Sequence, residues 1–180
     1  TGSTHPHIRE QLGDFDDWIA AGLRAGGATA VQSHDAQADG LPASPDRFAG
    51  VVLTGSHNMV SEREPWSEAL VPWLQAAVNA GTPVLGICYG HQLLAHALGG
   101  DVDHHPAGAE IGTVTIERYA ASDTDPLLGD LPVRFPAQAV HWQSVRRLPD
   151  GAVLLAGSAH EAHHAFRVGE RAWGVQFHPE

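Results

Sequence analysis

The stretch PVLGICYGHQLLAHALGG, residues 83–100, carries the only cysteine of this 180-residue chain. Its first part, within TPVLGIC at 82–88, is a short apolar run that reads as a buried strand. From Tyr89 onward the pattern turns helical, and Gly99 and Gly100 stop it. The thiol therefore stands at a strand-to-helix corner, with Gly86 and Gly90 on either side. In an open parallel sheet, ligands bind beyond the carboxyl ends of the strands, which is where Cys88 falls. G-x-C-x-G is the cysteine form of a nucleophile elbow: small neighbours permit a tight turn that lifts the sulfur above the sheet. The helix N-terminus beyond it favours a thiolate. The backbone N–H of Tyr89 is placed to face an oxyanion on a substrate. The plain alternative is a small buried hydrophobe closing a core strand; the two glycines at elbow spacing weigh against it.

Similar alternation surrounds this corner. Residues 28–33 (ATAVQS) and 49–56 (AGVVLTGS) read as strands. Residues 14–25 read as a helix with Phe15, Trp18, Ile19 and Leu23 on one stripe and acidic residues in the first turn. Residues 63–81 read as another, with Pro72 as a possible kink and Gly81 as its end. Such alternation predicts an α/β fold with a parallel sheet and helices on both faces. The second half differs: 110–119 alternates in β fashion, and three closely spaced strands follow, the last two joined by a turn at Gly169–Glu170. The expectation is one domain over 1–180, built on an open mixed, mainly parallel sheet with an antiparallel part near the C-terminus. The loop-like opening TGSTHP and the ending FHPE suggest a domain clipped at both ends.

A thiolate nucleophile needs a base, and the base needs an orienter. Among thirteen histidines, one has both parts nearby, in WGVQFHPE at 173–180. Strand alternation puts Trp173, Val175 and Phe177 on one face and Gly174, Gln176 and His178 on the other. Pro179 keeps the chain extended, so Glu180 joins His178. A carboxylate beside an imidazole sets its tautomer and stabilises the imidazolium. The plain reading is a strand end with exposed polar residues.

Together, GICYGHQLLAHALGG and WGVQFHPE resemble the class I glutamine amidotransferase family, and the chain is similar to its stand-alone, GMP-synthase-like domains. The resemblance runs from the strand before TGS to Glu180 and implies a flavodoxin-like fold. It implies Cys88 as nucleophile, His178 as base and acid, and Glu180 as orienter. It implies an oxyanion hole from the amides of Gly55 and Tyr89, although Thr54-Gly55-Ser56 stands where Gly-Gly-Pro is usual. Gln92, one turn past Cys88, matches a substrate-contacting glutamine. Trp142 and Gln143 fill a segment whose backbone holds the glutamine α-carboxylate, with side chains unlike the commoner small or acidic ones. Glu110 falls on a strand of mainly structural role, as a support for the site. The implied reaction yields glutamate and ammonia without a cofactor or metal, and the ammonia passes to a synthetase domain or subunit.

Composition narrows the partners. Net charge is −11, and all ten basic residues are arginine. With no basic patch, nucleic acid is not an expected partner. No long uncharged apolar run suggests a membrane span. A lone cysteine fits a reducing compartment such as the cytosol. Absent lysine, there is no P-loop, so an ATP-dependent acceptor must bind elsewhere. The segment HEAHH at 160–164 matches H-E-x-x-H but is too short and strand-like for the helix that a zinc site of this type requires. HPH at 5–7 and DHHP at 103–106 are expected to be surface loops. Trp66 and Trp73 are expected to be packing residues. Two other readings remain: a γ-glutamyl hydrolase or related cysteine peptidase with the same triad, and a catalytically silent regulatory module.

Overall fold

The run before Cys88 forms strand β2 (Val84–Ile87), and the helical pattern after it forms α4 (Tyr89–Ala97). In this computed structural model, which describes residues 4–180, these two elements are the pivot of the fold. Strand β2 lies between β1 (Val51–Leu53) and β9 (Ala172–Val175), and both pairings are parallel. The sheet continues antiparallel through β8 (Ala165–Val168), β7 (Val153–Gly157), β4 (Glu110–Arg118) and β5 (Arg134–His141), giving seven strands in all. The fold is thus the expected mixed α/β sheet, but it is not mainly parallel: among the described residues, parallel pairing is confined to β1, β2 and β9, and the four other pairings of this sheet are antiparallel, because β4, β5, β7 and β8 join through reversing connections. A second, two-stranded sheet pairs β3 (Asp101–His104) with β6 (Gln143–Arg147).

Helices cover both faces of the large sheet. On one, α4 packs on β2 and β9 with α3 (Pro65–Asn79) behind it, and Leu74, Leu93 and Leu94 are fully buried. Each such leucine contributes about 1.5–3 kcal/mol relative to an exposed side chain. Trp66 and Trp73 are half-buried against this cluster, as expected of packing residues. Helix α3 runs unbroken through Pro72. On the other face, Ile87, Leu155, Val175 and Phe177 form a second core, against which Ile19 of α2 (Phe15–Ala25) packs. Asp14 caps α2: its carboxylate accepts from the Phe15 amide at 2.8 Å, while the Asp17 carboxylate accepts from the Asp14 amide at 2.9 Å.

Several sequence expectations are corrected. Residues 28–33 form no strand. They run along an open cleft of about 1710 Å³ that separates them from β1 and is lined by Ile19, Val31, Val51 and Leu53. A strand is held by its ladder partners, and among the described residues β1 is an edge strand paired with β2 alone. The same cleft leaves Leu23 of α2 exposed. His5–His7 is no loop: a short helix α1 (Pro6–Leu12) starts there, with Pro6 in its first turn. Of DHHP, residues 103–104 lie in β3, with Asp103 and His104 on the surface. Residues 1–3 of the opening segment lie outside the described residues.

Candidate active site

The turn between β2 and α4 holds Cys88 at φ 52°, ψ −104°, one of two non-glycine residues with positive φ among those described. Positive φ strains an L-residue, and such strain persists only where the surroundings over-determine it. Here they do. The Cys88 amide donates to Val175 O at 2.9 Å, and its carbonyl accepts the Gln92 amide at 3.1 Å. A β-carbon on Gly86 would stand 2.3 Å from Gly90 O, and one on Gly90 would stand 2.4 Å from Leu53 O. Both glycines of G-x-C-x-G are therefore steric requirements: the first lets α4 start directly over β2, the second lets α4 touch the end of β1.

That second contact brings the loop after β1 to the cysteine. A β-carbon on Gly55 would lie 3.4 Å from His178 Cε1 and 3.8 Å from Cys88 Cβ, so Gly55 borders both. The loop is tied down beyond it: Ser56 Oγ donates to Asn58 Oδ1 at 2.8 Å, and Asn58 Nδ2 donates to Glu64 Oε1 at 2.8 Å. Tyr89 contributes its backbone at the start of α4, while its ring is buried against Trp66 and its hydroxyl donates to Ser67 Oγ at 2.7 Å. Burial pushes the Tyr89 phenol up to about 12, so it stays neutral.

His178 follows β9. Its amide donates to Gln138 O of β5 at 2.9 Å, and its Nδ1 lies 2.7 Å from Glu180 Oε1. The Glu180 side chain is only 4% exposed. Burial opposes charge on the His178 ring, but hydrogen bonding to Cys88 and Glu180 and their charges outweigh it, and its pKa is pushed up to about 10. The His178 ring is thus held in its charged form beside Cys88. The Phe15 ring lies 6.3 Å from that of His178, so the N-terminus of α2 borders the site. Strand β5 borders it on another side: Cys88 Sγ is 3.8 Å from Val140 O.

The remaining sequence-selected residues are spread around this corner. Gln92 is buried on α4, where its Nε2 donates to Gln143 O and to Gln176 Oε1, both at 2.9 Å. The Gln143 side chain is buried and turned to Ser61, with Oε1 3.3 Å from the Ser61 amide, so only its backbone is left to face a ligand. Trp142 is 47% exposed, and its carbonyl accepts the His105 amide at 2.9 Å. Glu110 is buried with His141, which the sequence pattern did not single out, and with His164, the last histidine of the discounted HEAHH segment. Its Oε2 is 3.0 Å from His141 Nε2 and 2.8 Å from His164 Nε2, and its Oε1 accepts from Ser158 Oγ at 2.9 Å. The available signal was register, since Glu110 and His141 are direct cross-strand partners. Residues 160–164 form no helix; His164 reaches this cluster as the residue just before β8.

A thiol on a strained elbow, a charged imidazole held by a carboxylate, and backbone donors at a helix start are the parts of nucleophilic acyl transfer. Comparison with known proteins identifies the family. The family profile "Glutamine amidotransferase class-I" matches residues 12–180. A GMP synthase (glutamine-hydrolyzing) from Aeropyrum pernix is 40% identical over 149 residues, which is 82% of this chain and 26% of that protein. One from Thermomicrobium roseum is 41% identical over 132 residues, or 73% of this chain and 23% of that protein. The chain thus spans about a quarter of the length of these relatives. A crystal structure of a glutamine amidotransferase from Methylobacillus flagellatus superposes with a TM-score of 0.78 at 28% identity, covering 89% of this chain and 63% of that one. By sequence and fold, the chain belongs to the class I glutamine amidotransferase family.

Proposed function

We propose that this domain hydrolyses the side-chain amide of glutamine through a thioester on Cys88. The thiolate attacks the amide carbon, forming a C–S bond. The resulting oxyanion accepts hydrogen bonds from the Gly55 and Tyr89 amides. As the tetrahedral adduct collapses, the C–N bond breaks and His178 delivers its proton to the leaving nitrogen, releasing ammonia. His178 then takes a proton from water, whose oxygen attacks the γ-glutamyl thioester. The C–S bond breaks, glutamate leaves and the thiolate returns. Glu180 keeps the His178 ring oriented and stabilises its charged form. Gln92 and the backbone at Trp142 and Gln143 bind the amino-acid end of the substrate.

The observation that carries this reading is the meeting of Cys88, at φ 52°, with a His178–Glu180 pair 2.7 Å apart, beside Gly55. The ammonia goes to a synthetase domain or subunit. Support for that step comes from the relatives named GMP synthase, of which this chain matches about a quarter. Purified Cys88→Ala protein should fold normally and release no glutamate from glutamine; retained turnover would sink the mechanism. Cleavage of γ-glutamyl peptides in preference to glutamine would favour a γ-glutamyl hydrolase instead.

A further inference from the structure

The Glu110–His141–His164 cluster brings three possible metal-ligating atoms within 4.8 Å of one another, all from buried residues. Its spacing, however, is that of hydrogen bonds. Oε2 of Glu110 stands 2.8 and 3.0 Å from the two Nε2 atoms, whereas donors around one zinc at ~2.0–2.1 Å stand roughly 3.3 Å apart. The proton positions follow from the partners. His141 Nδ1 is 2.9 Å from Gln143 O, a carbonyl that only accepts, so Nδ1 carries hydrogen. His141 Nε2 faces a carboxylate oxygen, so a proton lies between those two atoms. Both edges of the ring are tied, and Ser158 and His164 hold the carboxylate in turn.

The tie leads into the site. The same Gln143 carbonyl that receives His141 also receives Gln92 Nε2. The second Nε2 hydrogen of Gln92 goes to Gln176 Oε1. Both partners accept, so the Gln92 nitrogen faces inward and its oxygen is left for substrate. An amide oxygen recognises N–H groups, not carboxylates.

We propose that Glu110 is a positioning residue that acts through His141 and the Gln143 carbonyl to fix the Gln92 amide with its oxygen presented to an N–H of the substrate. This rests on the glutaminase reading given above. Residues at two separated points of the chain, Glu110 and the 141–143 segment, thereby set the polarity of a contact made from α4.

The test compares glutamine kinetics of the complete protein with those of Glu110→Gln, His141→Gln and His141→Asn. Glutamine at 141 offers a donor toward Glu110 but none at the Nδ1 position; asparagine offers its amide nitrogen near Nδ1. Glu110→Gln and His141→Gln should each raise KM for glutamine about tenfold, the loss expected of one charge-assisted hydrogen bond, with a much smaller change in kcat. His141→Asn should lie closer to wild type than His141→Gln. Unchanged KM in the first two variants would overturn the proposal. So would a loss of kcat that merely follows thermal stability across all three. Zinc bound at one per chain and lost in Glu110→Gln would overturn it as well, because ligation would then hold His141. Ring N–H resonances of His141 read the tie without turnover: the Nε2–H signal should be present in wild type and lost or shifted in Glu110→Gln. Wild-type protein that shows this signal but never hydrolyses glutamine would refute the glutaminase reading, whereas its absence would refute the tie.

Discussion

Replacing Gly86 by alanine adds one methyl group where β2 meets the start of α4. That carbon would sit 2.3 Å from Gly90 O, 2.5 Å from Gly90 C and 2.8 Å from His91 N. All three atoms are backbone, so no side chain can swing aside. Reaching ordinary contact requires α4 to move off the sheet by about 1 Å, and overpacking of this kind costs about 1–3 kcal/mol or somewhat more. The displaced element carries Tyr89 and follows Cys88 directly, and a misplacement of about 1 Å at reacting groups costs on the order of 10²-fold in rate. Gly22 supplies the control. It lies inside α2, and a β-carbon there meets nothing within 4 Å. Gly22→Ala should be neutral or stabilising by roughly 0.5–1 kcal/mol, with unchanged turnover. Urea denaturation read by tryptophan fluorescence, with glutaminase assays on the folded protein, measures both effects. Gly86→Ala protein as stable and as active as wild type would refute the elbow as the origin of the Cys88 conformation.

The other predictions concern the pair beside the cysteine and the partner. His178→Ala should abolish steady-state glutamine turnover, while Glu180→Gln should retain part of it, because an amide of the same shape still orients the ring but cannot stabilise its charge; wild-type rates in His178→Ala would remove His178 from the mechanism. The pH dependence of stability follows from the raised His178 pKa, about 10 in the fold against about 6.5 for a free imidazole. A raised pKa contributes stability that is complete below ~6.5 and is lost as pH rises through about 10. Glu180→Gln removes part of that contribution, so the gap in melting temperature from wild type should be widest near pH 6 and close toward pH 10; a gap that grows with pH would contradict the assignment. Glutamine turnover by the chain alone should be slow and should rise when a synthetase and its substrates are added, as expected where a partner completes the alignment of an oxyanion loop. Full turnover unaltered by any candidate synthetase would point to a free-standing hydrolase.

Much of this architecture was legible because local and global signals agree at the corner. The apolar run, the two glycines and the helical stripe all specify β2, the turn and α4. Alternation from Trp173 to Phe177 put those side chains and Val175 on one face, and they do pack in one core. The strand expected at 28–33 failed because a strand is defined by its neighbours, and the cleft beside β1 leaves it none. Strand β5 was missed for the opposite reason: Pro136 lies within it and argues locally against a strand, yet it pairs opposite Thr115 in a long antiparallel ladder. The buried cluster of Glu110, His141 and His164 was hidden by the same omission. Its members are spread over 54 residues and meet only once the register of β4 on β5 is known.

In the proposed mechanism, Cys88 Sγ is the atom that takes the γ-glutamyl group. The most direct measurement is intact and peptide mass spectrometry after treating the reduced protein with a glutamine-shaped diazoketone, with and without competing glutamine. One adduct per chain is expected, located on Cys88, slowed by glutamine and by His178→Ala. An adduct on another residue, or Cys88 left unmodified in a folded protein, would contradict it.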